Sequence, residues 1–120
     1  MQLKELTVRD IQDIVNMASA RDAIDRPEEY TLGEAIDPTA WSSWSLATGK
    51  LVARIDELSP EAVAELMAVA WLGRGDSGDD FNALVAHAHS NLRDASKYLA
   101  AKSPLHTYLR DGAKKIGVAV

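Results

Sequence analysis

The sequence contains no cysteine and few aromatic residues, with one phenylalanine, three tryptophans and three tyrosines among 120 residues. Without cysteine the chain has no disulfide, no thiol nucleophile, no iron–sulfur cluster and none of the thiolate zinc sites that stabilise small domains. A metal site would need carboxylates and the three histidines. We expect no cofactor.

Long apolar runs are also missing. No segment approaches the roughly 18 apolar residues that a membrane-spanning helix needs. The N-terminus, Met1 to Leu6, has an acidic residue at position 5 and no apolar stretch typical of a secretory signal. We therefore expect a cytoplasmic protein without membrane contact. The length predicts one domain over residues 1–120, since such a chain buries about two thirds of its unfolded surface in a single core.

Basic residues are rare in most of the chain and concentrated near its end. Residues 1–92 hold seven basic and sixteen acidic side chains, whereas residues 93–115 hold six basic and two acidic ones. The net charge is −5 and the pI is about 5.1. A basic terminal segment can bind nucleic acid, but it can equally neutralise acidic neighbours within the same chain, and the acidic pI favours the second interpretation.

Helical periodicity dominates the sequence, and no stretch alternates with the period of a β-strand. Thr7 followed by Asp10 is a variant of the capping box, and Asp37-Pro38, Ser59-Pro60 and Ser103-Pro104 each combine a capping residue with proline. We predict an all-α fold, a compact bundle of about five helices with short connections. Their expected ranges are about 8–23, 38–58, 60–73, 81–99 and 104–117, with Gly73 and Gly117 as C-terminal stops.

The loop from Gly73 to Gly78 has the spacing G-x-G-x-x-G, which in a dinucleotide-binding fold lets a pyrophosphate approach the backbone. Here the preceding apolar run belongs to a capped helix and no later strands are predicted, so this interpretation is disfavoured. Asp76, Asp79 and Asp80 are weak candidates for a cation site, but acids at a helix start have the same pattern. Capping does not explain Arg74, which either pairs with an acid or offers its guanidinium to a partner.

The string from Trp71 to Asp76, with Leu58-Ser59-Pro60-Glu61 before it and Tyr98-Leu99, Pro104-Leu105 and Tyr108-Leu109 after it, resembles a small bacterial family, domain of unknown function 3775. The resemblance covers about residues 50–118 and leaves residues 1–49 as an N-terminal helical extension. It implies a compact helical domain, and it implies no substrate, because the family has no assigned activity.

The first functional hypothesis is a protein–protein interaction or regulatory module, with an unknown protein or a second copy of the chain as its partner. It rests on the number of large aromatics for so small a helical core and on the absence of a recognisable catalytic set. A core role for Trp41 and Trp44 is the alternative to an exposed one. The candidate interaction residues are Arg74, Asp76, Trp41, Trp44 and Trp71.

Two alternatives stay open. The first is nucleic-acid binding through the basic C-terminal region, with Lys97, Lys102, Arg110, Lys114 and Lys115 as contacts. The second is an enzyme or metal-binding protein with a site near residues 73–80. The sequence has neither H-E-x-x-H nor G-x-S-x-G, and His87 and His89 are two positions apart on one predicted helix, so they point in different directions. Paired acids such as Glu61 and Glu65 are expected on solvated helix faces.

Overall fold

The computed structural model describes residues 3–23, 38–75, 81–102 and 104–120, and for residues 38–44 it describes the backbone alone. These ranges contain six helices and no strand, which confirms the all-α prediction. The helices are α1 (Val8–Asp22), α2 (Pro38–Asp56), α3 (Pro60–Arg74), α4 (Phe81–His89), α5 (Ala95–Ala100) and α6 (Leu105–Lys115).

The predicted starts of α1, α2, α3 and α4 are confirmed. Helix α6 begins at Leu105, one residue later than predicted, with Pro104 as its N-cap and no side-chain cap hydrogen bond, and the predicted cap Ser103 lies outside the described residues. Thr7 and Asp10 form a reciprocal capping box, in which each side chain accepts a hydrogen bond from the backbone N–H of the other, at 3.0 and 3.1 Å. Ser59 Oγ accepts from the N–H of Ala62 at 3.2 Å, and Pro60 occupies the first turn of α3. These caps satisfy N–H groups that have no partner inside the helix.

Helix α3 is the central helix of the bundle. It packs against α4, α5 and α6, while α1 packs against α2 and α6. Every residue from 62 to 72 is buried, so α3 is almost completely enclosed in this range, with small exposed areas such as the 8% of Trp71. Alanines at positions 62, 64, 68 and 70 occupy little volume, which allows several helices to approach the same segment.

The end of α3 differs from the prediction. Gly73 does not stop the helix; α3 continues to Arg74, and Gly75 is the cap, with a left-handed φ of 106°. Gly73 instead lies where α3 contacts α6, and a Cβ on this residue would overlap with the carbonyl group of Tyr108. The sequence pattern could not distinguish a glycine needed for close packing from a glycine needed for a helix end.

The single fourth helix predicted over 81–99 is wrong, because the chain forms α4 and α5 with a break at residues 90–94. Ser90 Oγ donates to the carbonyl of Ala86 at 3.2 Å, and Asn91 Nδ2 donates to the carbonyl of His87 at 2.8 Å. Such side chains compete with the backbone for helix hydrogen bonds. Asp94 then adopts a left-handed φ of 57°, which no α-helix contains.

Glu65 attaches the N-terminal segment to α3. It is 4% exposed, and its carboxylate accepts hydrogen bonds from the backbone N–H groups of Lys4, Glu5 and Leu6 at 2.7–2.8 Å. The expectation of a solvated Glu65 is therefore wrong. Three consecutive N–H groups directed at one carboxylate compensate for the cost of burying its charge.

Arg21 is fully buried and connects α1 to α2 and to the end of α5. It donates to the carbonyls of Ala100 and Lys102, to Thr48 Oγ1 and to the carboxylate of Asp22. The second oxygen of Asp22 lies 2.9 Å from Nδ1 of His106 in α6. This network joins α1, α2, α6 and the end of α5 through polar contacts.

Among the described residues, no helix is both long enough and apolar enough to cross a membrane.

Candidate functional site

An open cleft of about 600 Å³ lies between α3 and the segment from Asn91 to Tyr98. Its apolar lining comes from Met67 and Trp71 of α3 and from the ring of Tyr98 in α5. A cleft of this size lies within the range of ligand and peptide pockets in proteins. The remaining lining residues are polar or charged, namely Asn91, Arg93, Asp94 and Lys97.

Trp71 and Tyr98 hold each other in place at the centre of the cleft. The indole Nε1 of Trp71 donates a hydrogen bond to the Tyr98 hydroxyl at 3.2 Å. Trp71 is 8% exposed, whereas Tyr98 is 38% exposed and is, with Leu46, one of the two exposed large hydrophobic side chains among the described residues. On another side, the ring of His87 lies 5.5 Å from the ring of Trp71, inclined at 49°. The indole is thus oriented by contacts from both α4 and α5.

Cationic side chains surround Tyr98. Lys102 Nζ lies over the Tyr98 ring, 4.5 Å from its centre, in a cation–π geometry. Burial by itself raises the pKa of Tyr98, but hydrogen bonds from Trp71, Lys102 and Arg74, together with the charge of Lys102, lower the pKa overall. The neighbouring cations and the indole N–H therefore favour negative charge at the phenolic oxygen.

The charge of the cleft is positive. Arg93, Lys97 and Lys102 make no ion pair within the part of the chain that the structure describes. Asp94 is the one acidic residue among the side chains that line the cleft. A cleft with aromatic walls and cations of this kind suits a ligand that combines an apolar group with negative charge.

The structure brings together residues from both predicted sets. Trp71 and Arg74, from the predicted interaction surface, lie close to Tyr98, and so do Lys97 and Lys102 from the predicted nucleic-acid surface. They meet because the C-terminal end of α3 packs beside α5, although residues 71 and 98 are 27 positions apart in the chain. The two predicted surfaces therefore overlap at one site, the cleft beside Tyr98.

Three of the predicted interaction residues cannot be placed there. Asp76 lies outside the described residues, together with Asp79 and Asp80 of the weak cation candidate. Trp41 and Trp44 belong to α2, and their side chains also lie outside the described part of the structure.

The remaining basic candidates lie in α6. Lys115 Nζ donates to the carbonyl of Leu72 at 2.7 Å, so it caps the C-terminal end of α3, where the helix dipole attracts positive charge. Arg110 and Lys114 are exposed. The five basic candidates thus differ in role: Lys115 and Lys102 contact the protein itself, and the other three extend into solvent.

Tyr98, Asn91 and Arg93 were missed as site residues. Their sequence positions fit one continuous helix, in which Tyr98 would point toward the core and Asn91 toward water. The signal for the break was the cluster Ser90-Asn91 followed by Asp94, since these residue types favour turns over helix interiors.

The histidines lie in three separate settings. His87 contacts Trp71, His89 lies 4.0 Å from Glu61, and His106 pairs with Asp22. In the described ranges no group of three potential metal ligands is found.

Comparison with known proteins gives a family but no activity. Residues 48–118 match the family DUF3775, described as proteins of unknown function. The chain belongs to the DUF3775 family. No curated protein and no solved structure matches the chain. The matched region begins two residues before the range predicted from the sequence, ends at the same residue, and includes every residue that lines the cleft.

Proposed function

We propose that this DUF3775 protein is a protein–protein interaction module that binds an acidic segment of its partner in the cleft beside Trp71 and Tyr98. The observation that supports this function most directly is the combination of apolar walls with Arg93, Lys97 and Lys102, none of which has an ion-pair partner in the described structure. Because the cleft is positively charged, the partner segment that complements it is acidic.

The geometry supports a binding mode with one apolar anchor. An apolar side chain of the partner fits against Met67 and Trp71, and such aromatic contacts in desolvated pockets supply most of the affinity in interfaces. Carboxylates before or after this anchor would lie near Arg93 and Lys97. Exposed charges of this kind raise the association rate, so binding should weaken as the salt concentration rises.

Two other ligands could bind the positive charge of the cleft. The first is a second copy of the chain, because residues 1–92 carry an excess of nine acidic residues. A nucleic acid is the other, with Arg110 and Lys114 as additional phosphate contacts. The test below distinguishes both from a separate acidic protein.

The experiment is a pull-down from nuclease-treated extract of the native cell with three baits: the wild type, Arg93→Gln/Lys97→Gln, and the control Arg110→Gln/Lys114→Gln. Both double variants remove two positive charges from exposed positions, but only the first changes the cleft. A protein recovered with the wild type and the control, and lost with the cleft variant, is then purified for titration.

The proposal predicts that the purified partner contains an acidic segment and that its affinity falls at least about tenfold for the cleft variant, which corresponds to about 1.4 kcal/mol. The proposal is wrong if no recovered protein depends on residues 93 and 97, or if added purified nucleic acid binds the wild type and both double variants weaken that binding equally. If the bait recovers a second copy of the chain, and if sedimentation shows that this association also depends on residues 93 and 97, the cleft serves self-association and not a separate partner.

A further inference from the structure

We propose that Tyr98 and Lys102 form an oxyanion subsite at the edge of the cleft, which receives a carboxylate or phosphate group of the bound segment. This inference rests on the proposed function and specifies which protein groups orient the ligand's negative charge. It also separates two roles: Arg93 and Lys97 attract an acidic segment, and Tyr98 with Lys102 determines where one anionic group lies.

The hydrogen bonding of Tyr98 provides the first argument. Its hydroxyl oxygen accepts a hydrogen bond from Trp71 Nε1 at 3.2 Å, and the cationic side chains of Lys102 and Arg74 lie near it. A phenol also has one O–H donor. Because the oxygen already accepts from Trp71 and the Tyr98 side chain is 38% exposed, its O–H is available to donate to an anionic group that enters the cleft.

The position of Lys102 provides the second argument. Its ammonium group lies 4.5 Å from the centre of the Tyr98 ring and makes no ion pair in the described ranges. A hydroxyl donor with a cation at its side matches an anionic oxygen better than a neutral carbonyl, since hydrogen bonds to charged groups are shorter and about twice as strong. The lowered pKa of Tyr98 agrees with this field.

The orientation of Tyr98 provides the third argument. Lys102 lies over its ring, and its hydroxyl accepts a hydrogen bond from the Trp71 indole, which is itself buried and in contact with His87. The hydroxyl therefore has a defined position before a ligand arrives. A preorganised donor loses little side-chain entropy when the ligand binds.

Small oxyanions test the subsite directly. The full chain is titrated with phenyl phosphate, benzoate, inorganic phosphate and the neutral analogue benzyl alcohol, and the indole N–H signal of Trp71 is followed by NMR together with the backbone amides. We expect saturable shifts around Trp71 and Lys97 with phenyl phosphate or benzoate, and none with benzyl alcohol. If phenyl phosphate binds more tightly than benzoate, the subsite favours a phosphorylated segment. If benzoate binds more tightly, the subsite favours acidic side chains.

Two variants and one control complete the test. Tyr98→Phe and Lys102→Gln should each weaken the binding of the preferred anion about tenfold, because each removes one charged hydrogen bond. Lys50→Gln removes an exposed charge from α2, away from the cleft, and should leave the affinity unchanged. The amide spectrum of each variant verifies that it is folded.

The subsite is refuted if no anion saturates, if benzyl alcohol binds equally well, or if Tyr98→Phe has no effect on affinity. Its failure is distinguishable from failure of the proposed function. If Tyr98→Phe/Lys102→Gln retains the acidic partner and Arg93→Gln/Lys97→Gln loses it, only the subsite is wrong. If the anions bind as expected and no protein depends on the cleft, the interaction function is wrong.

Discussion

Gly73 and Gly112 bring the backbones of α3 and α6 into direct contact: the position of a Cβ on Gly112 is 3.1 Å from the backbone nitrogen of Gly73. The same Cβ would overlap with the carbonyl group of Val69, and a Cβ on Gly73 would overlap with that of Tyr108. Because the obstructing atoms belong to the backbone, neither helix can relieve the overlap by moving a side chain. This contact sets the distance between the two helices.

Gly112→Ala should therefore destabilise the protein by about 1–3 kcal/mol or more, since about 1–3 kcal/mol is the usual cost of overpacking a core. Gly49→Ala is the matched control, since Gly49 lies inside α2 with nothing within 4 Å of a new Cβ. That substitution should stabilise the protein by about 0.5–1 kcal/mol, because alanine is the better helix former. Urea denaturation followed by circular dichroism measures both, and equal effects of the two substitutions would contradict the close crossing.

Glu65→Gln should destabilise the protein by about 1–3 kcal/mol, because the backbone N–H groups of residues 4–6 lose a charged acceptor and a buried donor stays unsatisfied. Glu61→Gln, one helical turn earlier and 58% exposed, is the control and should change the free energy of unfolding by less than about 0.5 kcal/mol. Hydrogen exchange at residues 4–6 should accelerate in the first variant alone. If the hydrogen exchange rates at residues 4–6 do not change in Glu65→Gln, the Glu65 carboxylate does not hold the N-terminal segment in place.

Arg21→Met should cost about 3–5 kcal/mol, since it removes the cation from a buried ionic network and takes one hydrogen-bond donor away from Asp22 and from each of two carbonyl groups. Arg9→Met, in the same helix but exposed, serves as the control. Denaturant titrations of both variants give the difference. Similar stabilities for the two would mean that the Arg21 contacts contribute little beyond the packing of the side-chain carbons.

The Asp10–Arg54 pair should make stability depend on pH. Burial raises the pKa of Asp10, but the hydrogen bonds from Arg54 and Thr7 and the charge of Arg54 together lower it below the ordinary value of 3.8. A carboxyl whose pKa is lower in the folded state stabilises the protein at pH values above the unfolded pKa, and this contribution disappears as the pH falls through the folded pKa. Asp10→Asn should thus be less stable than the wild type at neutral pH.

The difference between wild type and Asp10→Asn should shrink below pH 3.8 and vanish once Asp10 is protonated in both folded and unfolded states. Urea denaturation across this range tests the sign. Repeating the series with Arg54→Gln as the background should reduce the pH dependence, because the largest of the interactions that lower the pKa is then missing. A difference that stays constant with pH would exclude this linkage.

Tyr98 should ionise below the usual pKa of 10.0 for tyrosine. In an absorbance titration of the folded protein, tyrosinate should begin to form earlier than in the unfolded chain, and Tyr98→Phe should remove this early component. Tyr108→Phe is the control and should retain it. If the titration of the wild type and of Tyr98→Phe begin at the same pH, the cationic field around the hydroxyl is weaker than its contacts indicate.

The helix starts were predictable because capping is local. Thr7, Asp10 and Ser59 act within three residues of their partners, so their pattern is visible in the sequence. The resemblance to the family and the all-α class were also recognised from sequence strings and periodicity. The break between α4 and α5 was missed because the apolar spacing continues across it from Leu84 to Leu99, and the turn-forming residues were outweighed by that periodicity.

Two of the seven residues that line the candidate cleft, Trp71 and Lys97, could be named in advance. Arg74 and Lys102, which lie near Tyr98, were also selected, but these four residues belonged to two separate hypotheses, and Tyr98 was not selected. Their meeting point depends on how α3 and α5 pack, which involves positions 27 apart in the chain. Glu65 and Arg21 show the same limit, since their partners lie about 60 and 80 positions away.

The sequence by itself determined the all-α class, the N-terminal caps of α1 and α3, the absence of thiol chemistry and the concentration of positive charge after residue 92, because these properties depend on composition and on neighbours within one or two turns. The tertiary structure alone decided which charges are buried, which glycines form a helix contact and which aromatic and basic side chains share a cleft. Burial and electrostatic field at an atom depend on every group nearby in space, and in this bundle most of those groups come from distant parts of the chain.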